Sequence, residues 1–223
     1  MKTNLELLND VRNALAWEPS LDTAEIGVTA KDGIITLTGT VDSYFKKAGA
    51  ENAAKSVAGV YAVVEKIEVD FNESLRKSDS EIADTVLNAY NWNREIPKGN
   101  ISVTVESGWV TLDGNVDWHY QRETAEKMIQ YLDGVKGISN NISIKSAIPR
   151  EINLKQIEKA LSRNGHIYEE DINVSVSGST VTLNGTVESH REKDTAERMA
   201  WNAPGVEHVD NQILVENEYE LVD

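Results

Sequence analysis

The chain has 223 residues and no cysteine, which excludes disulfide bonds, thiolate chemistry and cysteine-ligated zinc. Its net charge is −15, from 37 acidic and 22 basic side chains, and each third of the chain carries an acidic surplus. Because every phosphate contact needs a cation, this balance disfavours nucleic-acid binding and purely electrostatic binding to anionic lipid.

A first amphipathic helix is predicted at the start of each third of the chain, from apolar residues at helical spacing. These residues are Leu8, Val11 and Leu15, then Ile82, Val86 and Ala89, then Leu154, Ile157 and Leu161. In the second third of the chain this first helix is expected to be capped by Asp79 or Ser80, and in the last third by Asn153. Asn164–Gly165 is expected to end the first helix of the last third.

A hairpin pattern follows each helix, and its three copies align without a gap over 26–41, 101–116 and 172–187. Each copy alternates apolar and polar residues, turns at a step that contains glycine, and closes on Leu-x-Gly-x-Val. The alternation predicts a β-hairpin with one buried face and one solvated face rich in threonine and serine.

A second helix is then predicted over 42–58, 117–133 and 188–203, with an inward stripe of small residues, followed by a strand with a bulge or bend. Two glycines frame this helix at an interval of 20 residues in every copy. They are Gly39 and Gly59, Gly114 and Gly134, and Gly185 and Gly205. The hairpin glycine has inward parity, which favours close backbone approach to a helix, or a bulge, over a backbone ligand site. All six are predicted to determine the fold.

The predicted fold class is α+β, with three tandem αββαβ units, each a three-stranded sheet with two helices packed on one face. The predicted domains are 1–72, 73–147 and 148–223. Each is near the lower size limit at which a hydrophobic core suffices without disulfides or metals.

These landmarks resemble the BON domain, a bacterial family named for osmotically inducible and nodulation proteins. The third copy carries the motif as Leu183-Asn-Gly185-Thr-Val187, Ala196-Glu197 and Gly205-Val-Glu-His-Val-Asp-Asn211-Gln-Ile-Leu-Val215. The second copy has Asn140 at the asparagine position, whereas the first copy has Glu65. The resemblance implies a small noncatalytic binding module, for which attachment to phospholipid or membranes is proposed.

Catalytic motifs are absent from the sequence, which contains neither a Gly-x-Ser-x-Gly elbow nor a His-Glu-x-x-His helix. His119 and His190 occupy equivalent positions at the start of the second helix, where the first copy has Tyr44. No metal-ligand spacing recurs around them, so they are predicted to be surface residues. We expect no enzyme activity, no metal and no cofactor.

Five tryptophans provide the remaining signal. Trp17 and Trp92 end the first two helices at corresponding positions and are predicted to lie in the core or at a contact between repeats. Trp109, Trp118 and Trp201 do not recur, which makes them candidates for contacts between repeats or for a partner or lipid interface.

The sequence therefore favours a noncatalytic interaction module for a protein partner or an envelope component, and the family resemblance implies a link to envelope or osmotic stress. The alternative is phospholipid or membrane-surface binding. No apolar run approaches the ~20 residues that span a bilayer. A cytoplasmic location is expected if Met1 is the natural start, and a periplasmic one if a leader was removed.

Overall fold

The computed structural model describes residues 2–21, 25–71, 76–145, 151–163 and 172–215, and these form three αββαβ units. The first unit consists of α1 (Asn4–Ala16), β1 (Ile26–Lys31), β2 (Ile34–Val41), α2 (Tyr44–Lys55) and β3 (Ala62–Val69). The second consists of α3 (Asp79–Trp92), β4 (Ile101–Glu106), β5 (Trp109–Val116), α4 (His119–Ile129) and β6 (Gly137–Ile144). The third consists of α5 (Leu154–Ser162), β7 (Ile172–Ser177), β8 (Thr180–Val187), α6 (His190–Trp201) and β9 (His208–Val215).

Each unit has its own three-stranded sheet, with strand orders β1-β2-β3, β4-β5-β6 and β7-β8-β9. The second strand is central, antiparallel to the first and parallel to the third. A parallel neighbour requires a crossover, and the second helix provides it. Both helices cover the same face of the sheet, which confirms the predicted α+β fold.

The three hydrophobic cores occupy equivalent positions between the sheets and their helices. Their shared positions are Leu7, Ile82 and Ile157, then Leu37, Leu112 and Leu183, then Ala50, Ala125 and Ala196, then Ile67, Ile142 and Ile213. Side chains at these positions are at most 3% exposed. The buried alanines confirm the predicted stripe, and small side chains let the second helix lie close to its sheet.

The hairpin glycines have φ of +133° at Gly39 and +144° at Gly114 and Gly185. A Cβ on Gly114 would lie 2.0 Å from the carbonyl oxygen of Asn100, and Gly39 meets Glu25 in the same way. Close backbone approach is therefore confirmed. The expected helix partner is wrong, because the neighbouring backbone is the residue that leads into the first strand.

Several element boundaries differ from the predictions. The second helices begin after Ser43, Trp118 and Ser189 and end several residues before the expected limits. Helix α3 is capped by Ser78, whose side chain accepts the Glu81 N–H, so the predicted caps are one and two residues too late. The expected end of α5 at Asn164–Gly165 lies outside the described residues.

The expected bulge in the last strand is wrong, because β3 pairs with β2 without interruption from Ala62 to Val69. The strands β6 and β9 pair in the same uninterrupted way with β5 and β8. The buried Val60, which suggested an irregular strand, lies in the loop before β3.

The two matched tryptophans are not in the core. Trp17 is 85% exposed and Trp92 is 88% exposed. Leu15 and Tyr90 fill the core at this level of the two helices. Two residues further along a helix is a rotation of about 200°, so each tryptophan lies on the opposite face from the buried stripe.

Candidate functional site

The three units contact one another through equivalent ends of their second helices. Tyr44, His119 and His190 are the first residues of α2, α4 and α6. Each of these helix starts meets the next unit in cyclic order, so unit 1 contacts unit 2, unit 2 contacts unit 3, and unit 3 contacts unit 1.

The first seam, between units 1 and 2, consists of Tyr44, Phe45 and Tyr131. The rings of Phe45 and Tyr131 stack with centroids 4.4 Å apart and an interplanar angle of 29°. Tyr44 packs against the core of unit 2. Burial there raises the pKa of the Tyr44 phenol, and the negative charge of Glu126 in unit 2 raises it further. This seam is therefore aromatic and largely apolar.

The second seam, between units 2 and 3, is formed by His119 and Trp201. Their rings are nearly parallel, with an interplanar angle of 7° and centroids 4.7 Å apart. The His119 side chain is 13% exposed, so its predicted surface position is wrong. Burial lowers the pKa of His119, although Glu123, 3.5 Å from Nε2, opposes that shift. The imidazole is therefore neutral at neutral pH.

The third seam, between units 3 and 1, is a hydrogen bond from His190 Nε2 to the carbonyl oxygen of Tyr61, at 2.7 Å. This contact joins residues 129 positions apart in the chain and completes the cycle of units. The predicted surface position of His190 is also wrong, because its ring is part-buried in this contact. The sequence signal that could have located the seams is the recurrence of tyrosine or histidine at this one position.

A cleft of about 710 Å³, which we call the central cleft, lies between the three second helices. All three helices contribute residues at one equivalent position, namely Asn52, Lys127 and Arg198. Lys55 and Arg191 add two more cations, and the carboxylates of Glu18, Glu123 and Asp194 also line the cleft. Partial desolvation raises the pKa of Asp194, although Lys55 opposes this shift. The cleft therefore groups four cations in a chain that is acidic overall.

The three non-recurring tryptophans occupy three different environments. Trp201 lies in the second seam. Trp118 is half-buried at the N-cap of α4, where the other units have serine. Trp109 lies on its own sheet, where its indole N–H donates to Ser139 at 2.9 Å and its ring covers Gly137 on the adjacent strand. Glycine leaves space there for the ring, which is an aromatic rescue of an edge-strand glycine.

The motif asparagine has a structural role. Asn140 donates to the Arg122 carbonyl at 3.1 Å and to Glu126 at 3.0 Å, and it accepts the Ile142 N–H at 3.2 Å. Asn211 makes the equivalent three bonds in unit 3. Each asparagine thus ties the last strand to the second helix.

In unit 1 a different pair fills the place of the asparagine. Glu65 accepts the Ile67 N–H and forms an ion pair with Lys47 at 2.8 Å. Lys47 also donates to the Ile67 carbonyl at 2.8 Å. The departure of the first copy from the family motif therefore preserves the tie between strand and helix.

The exposed tryptophans Trp17 and Trp92 mark a surface that sequence reasoning missed. They lie at the C-terminal ends of α1 and α3. Trp92 borders a cleft of about 500 Å³, together with Ala89, Arg94 and Met128. Tryptophan is enriched at protein interfaces relative to the rest of the protein surface. We call Trp17 and Trp92 the tryptophan face.

Among the residues that the structure describes, no group of three or more His, Cys, Asp or Glu side chains is placed to hold a metal ion. Two hydroxyls line the central cleft, and each donates to a carbonyl of its own helix, Ser56 at 2.7 Å and Thr195 at 2.6 Å. None of the described helices is long and apolar enough to cross a bilayer.

The fold and the site define a class of protein built from three tandem αββαβ domains that close into one cyclic arrangement. The BON domain model matches residues 5–70, 78–146 and 152–217. The chain belongs to the BON domain family, which confirms the resemblance inferred from its motifs.

Similarity to known proteins is strongest in sequence. The chain is 29% identical to osmotically-inducible protein Y of Escherichia coli (strain K12) over 139 aligned residues. This alignment covers 60% of this chain and 69% of that protein. Two solved structures of CdsD, a structural protein of the Type III secretion system of Chlamydia trachomatis, are 16% identical. The matches cover 97% and 95% of this chain, and 100% and 93% of those chains, with TM-scores of 0.25 and 0.26. Scores this low say nothing about the arrangement of the units.

Proposed function

We propose that this chain is a noncatalytic binding protein of the osmotic or envelope stress response, and that it engages a protein partner or an envelope component. Its membership in the BON family and its similarity to osmotically-inducible protein Y support the stress association. The binding role is supported by two large aromatic side chains that the fold leaves exposed, Trp17 and Trp92.

The observation that carries the proposal is the tryptophan face. Trp17 and Trp92 are more than four-fifths exposed at equivalent positions of two units. In a closed cycle of equivalent units, equivalent residues face the same side. Tryptophan is enriched among the residues that dominate binding energy at protein interfaces. The two indoles thus form the anchors of one partner surface.

An affinity pull-down from osmotically shocked cells tests this function, with the whole chain as bait. The bait with Trp17→Ala and Trp92→Ala is expected to lose a partner that the wild-type bait retains. Trp109→Ala is the matched control, since it removes an indole that is 48% exposed on a sheet face and should leave that partner bound. Identical capture by all three baits would count against a partner at the tryptophan face.

Phospholipid or membrane-surface binding is the alternative, and the same two residues favour it. Tryptophan is enriched at membrane–water interfaces. The net charge of −15 opposes attraction to anionic lipid, so this binding would depend on indole insertion and not on lipid charge. Co-sedimentation with phosphatidylcholine vesicles and with vesicles containing phosphatidylglycerol, at low and high salt, tests it. No binding to any of them eliminates the alternative.

A further inference from the structure

We propose that the central cleft is a binding site for an oxyanion, either inorganic phosphate or sulfate or the phosphate group of a larger ligand. The site is distinct from the tryptophan face and goes beyond the partner-binding function. It is assembled from α2, α4 and α6, so none of the three domains contains it alone.

The hydrogen-bond donors of the cleft follow the repetition of the three units. Asn52, Lys127 and Arg198 stand at the same position of the three second helices, and all three line the cleft. Each carries N–H groups that donate hydrogen bonds. Each second helix thus contributes one such donor to the lining of the same cleft, and an oxyanion accepts several hydrogen bonds at once.

The four cations of the cleft differ in whether they are already paired. Lys127 forms an ion pair with Glu123 at 2.9 Å, and Lys55 forms one with Glu51 at 2.7 Å. The guanidinium groups of Arg191 and Arg198, by contrast, make no hydrogen bond or ion pair within the part of the chain that the structure describes, although the charge of Arg198 lies close enough to Glu123 to contribute to the lowered pKa of that carboxyl. Both lie on α6, two helical turns apart, and both line the cleft. Arginine is well suited to bind phosphate oxygens in pairs of parallel hydrogen bonds.

A carboxylate lies between Arg191 and Arg198 along α6. Asp194 lies one turn from each arginine on the same helix and also lines the cleft. Its negative charge opposes an incoming anion, so its removal should strengthen binding. This gives the proposal a variant that predicts a gain, which a general loss of structure cannot imitate.

The test is isothermal titration of the whole chain with inorganic phosphate, sulfate or glycerol 3-phosphate, at constant ionic strength. Arg191→Gln with Arg198→Gln should weaken phosphate binding about tenfold or more, because hydrogen bonds to a charged group are lost. Asp194→Asn should tighten it. Arg12→Gln with Lys66→Gln is the charge-matched control, since both residues are exposed and lie outside the cleft, and it should leave the affinity unchanged.

Comparing the affinities for the different ligands distinguishes a free anion from the phosphate group of a larger molecule. Binding of inorganic phosphate but not glycerol 3-phosphate identifies a free anion, whereas tighter binding of glycerol 3-phosphate identifies a phosphate ester such as a lipid headgroup. Vesicles containing phosphatidylglycerol then show whether the headgroup is reached within a membrane. No binding of any anion, or equal affinities in all variants, overturns the proposal. The pull-down with the tryptophan variants would be unaffected, so the two proposals fail separately.

Discussion

The interiors of the three units and the seams between them are built in opposite ways. Each interior is packed with the same kind of apolar side chain at equivalent positions, such as Leu37, Leu112 and Leu183 on the central strand. The seams use three different chemistries at one equivalent position, which are an aromatic stack, a histidine–tryptophan stack and a hydrogen bond to a backbone carbonyl.

The contrast separates what a repeated sequence specifies from what single residues specify. A position that packs inside its own unit meets the same neighbours in every copy, so selection for the fold acts on all three copies alike. A position at a seam meets a different unit in each copy, so its three side chains are under three different constraints. Contacts that differ also fix which unit lies next to which.

The largest expected effect is on an interior. Gly114→Ala should lower the free energy of unfolding of unit 2 by more than about 3 kcal/mol, because the added Cβ meets a backbone oxygen at a positive φ. Gly99→Ala is the control, since Gly99 also has a positive φ, +78°, but no atom lies within 4 Å of its added Cβ. Urea unfolding followed by circular dichroism measures both. Equal losses would show that backbone strain alone, and not the close approach, sets the cost.

A smaller interior effect is expected at the strand–helix tie. Asn140→Ala should cost about 2 kcal/mol in unit 2, because it leaves the part-buried Ile142 N–H without its acceptor. Asn211→Ala should cost the same in unit 3. Glu65→Ala should also destabilise unit 1, because Lys47 and the Ile67 N–H lose their common partner. Thermal unfolding that left all three variants unchanged would contradict a shared structural role.

The sequence was sufficient to predict the interiors and insufficient to predict the seams. Hydrophobic alternation predicted the hairpins, and the parity of Gly114 predicted its close backbone contact. Helical spacing could have shown that Trp17 faces solvent, because it lies about 200° around the helix from Leu15. The prediction instead gave weight to the recurrence of tryptophan at this position in two copies. The partner of His119 could not be found, because Trp201 is distant in the chain and occurs in one copy only.

The second seam is expected to show a smaller free-energy effect than the interiors, and a double-mutant cycle measures that effect for one pair of residues. In a double-mutant cycle with His119→Ala and Trp201→Ala, the coupling free energy is expected to be about 1 kcal/mol, because the two rings stack directly. A cycle with Trp109→Ala in place of Trp201→Ala should give no coupling, since Trp109 contacts Ser139 and Gly137 within its own unit. Coupling in the control cycle, or none in the first, would show that the stack does not join the units.

The smallest expected effect is a pH dependence confined to this seam. The pKa of His119 is lowered in the folded chain from an ordinary 6.5, chiefly by burial. Above pH 6.5 the ring is neutral in the folded and unfolded chains, so the seam has its full stability. As the pH falls below 6.5 the unfolded chain binds the proton first, and the free energy of unfolding decreases until the folded ring is also protonated.

The groups that face His119 set the size of this effect. Glu123 and Glu197 favour the protonated ring, and Arg122 opposes it. The pKa of Glu123 is itself lowered, with its bond to Lys127 the largest lowering cause, so Glu123 remains ionised through this range. His119→Phe retains a flat ring against Trp201 without a titrating group, and it should flatten the fall in stability between pH 8 and pH 5. Parallel curves of unfolding free energy against pH for wild type and His119→Phe would place the pH dependence elsewhere in the chain.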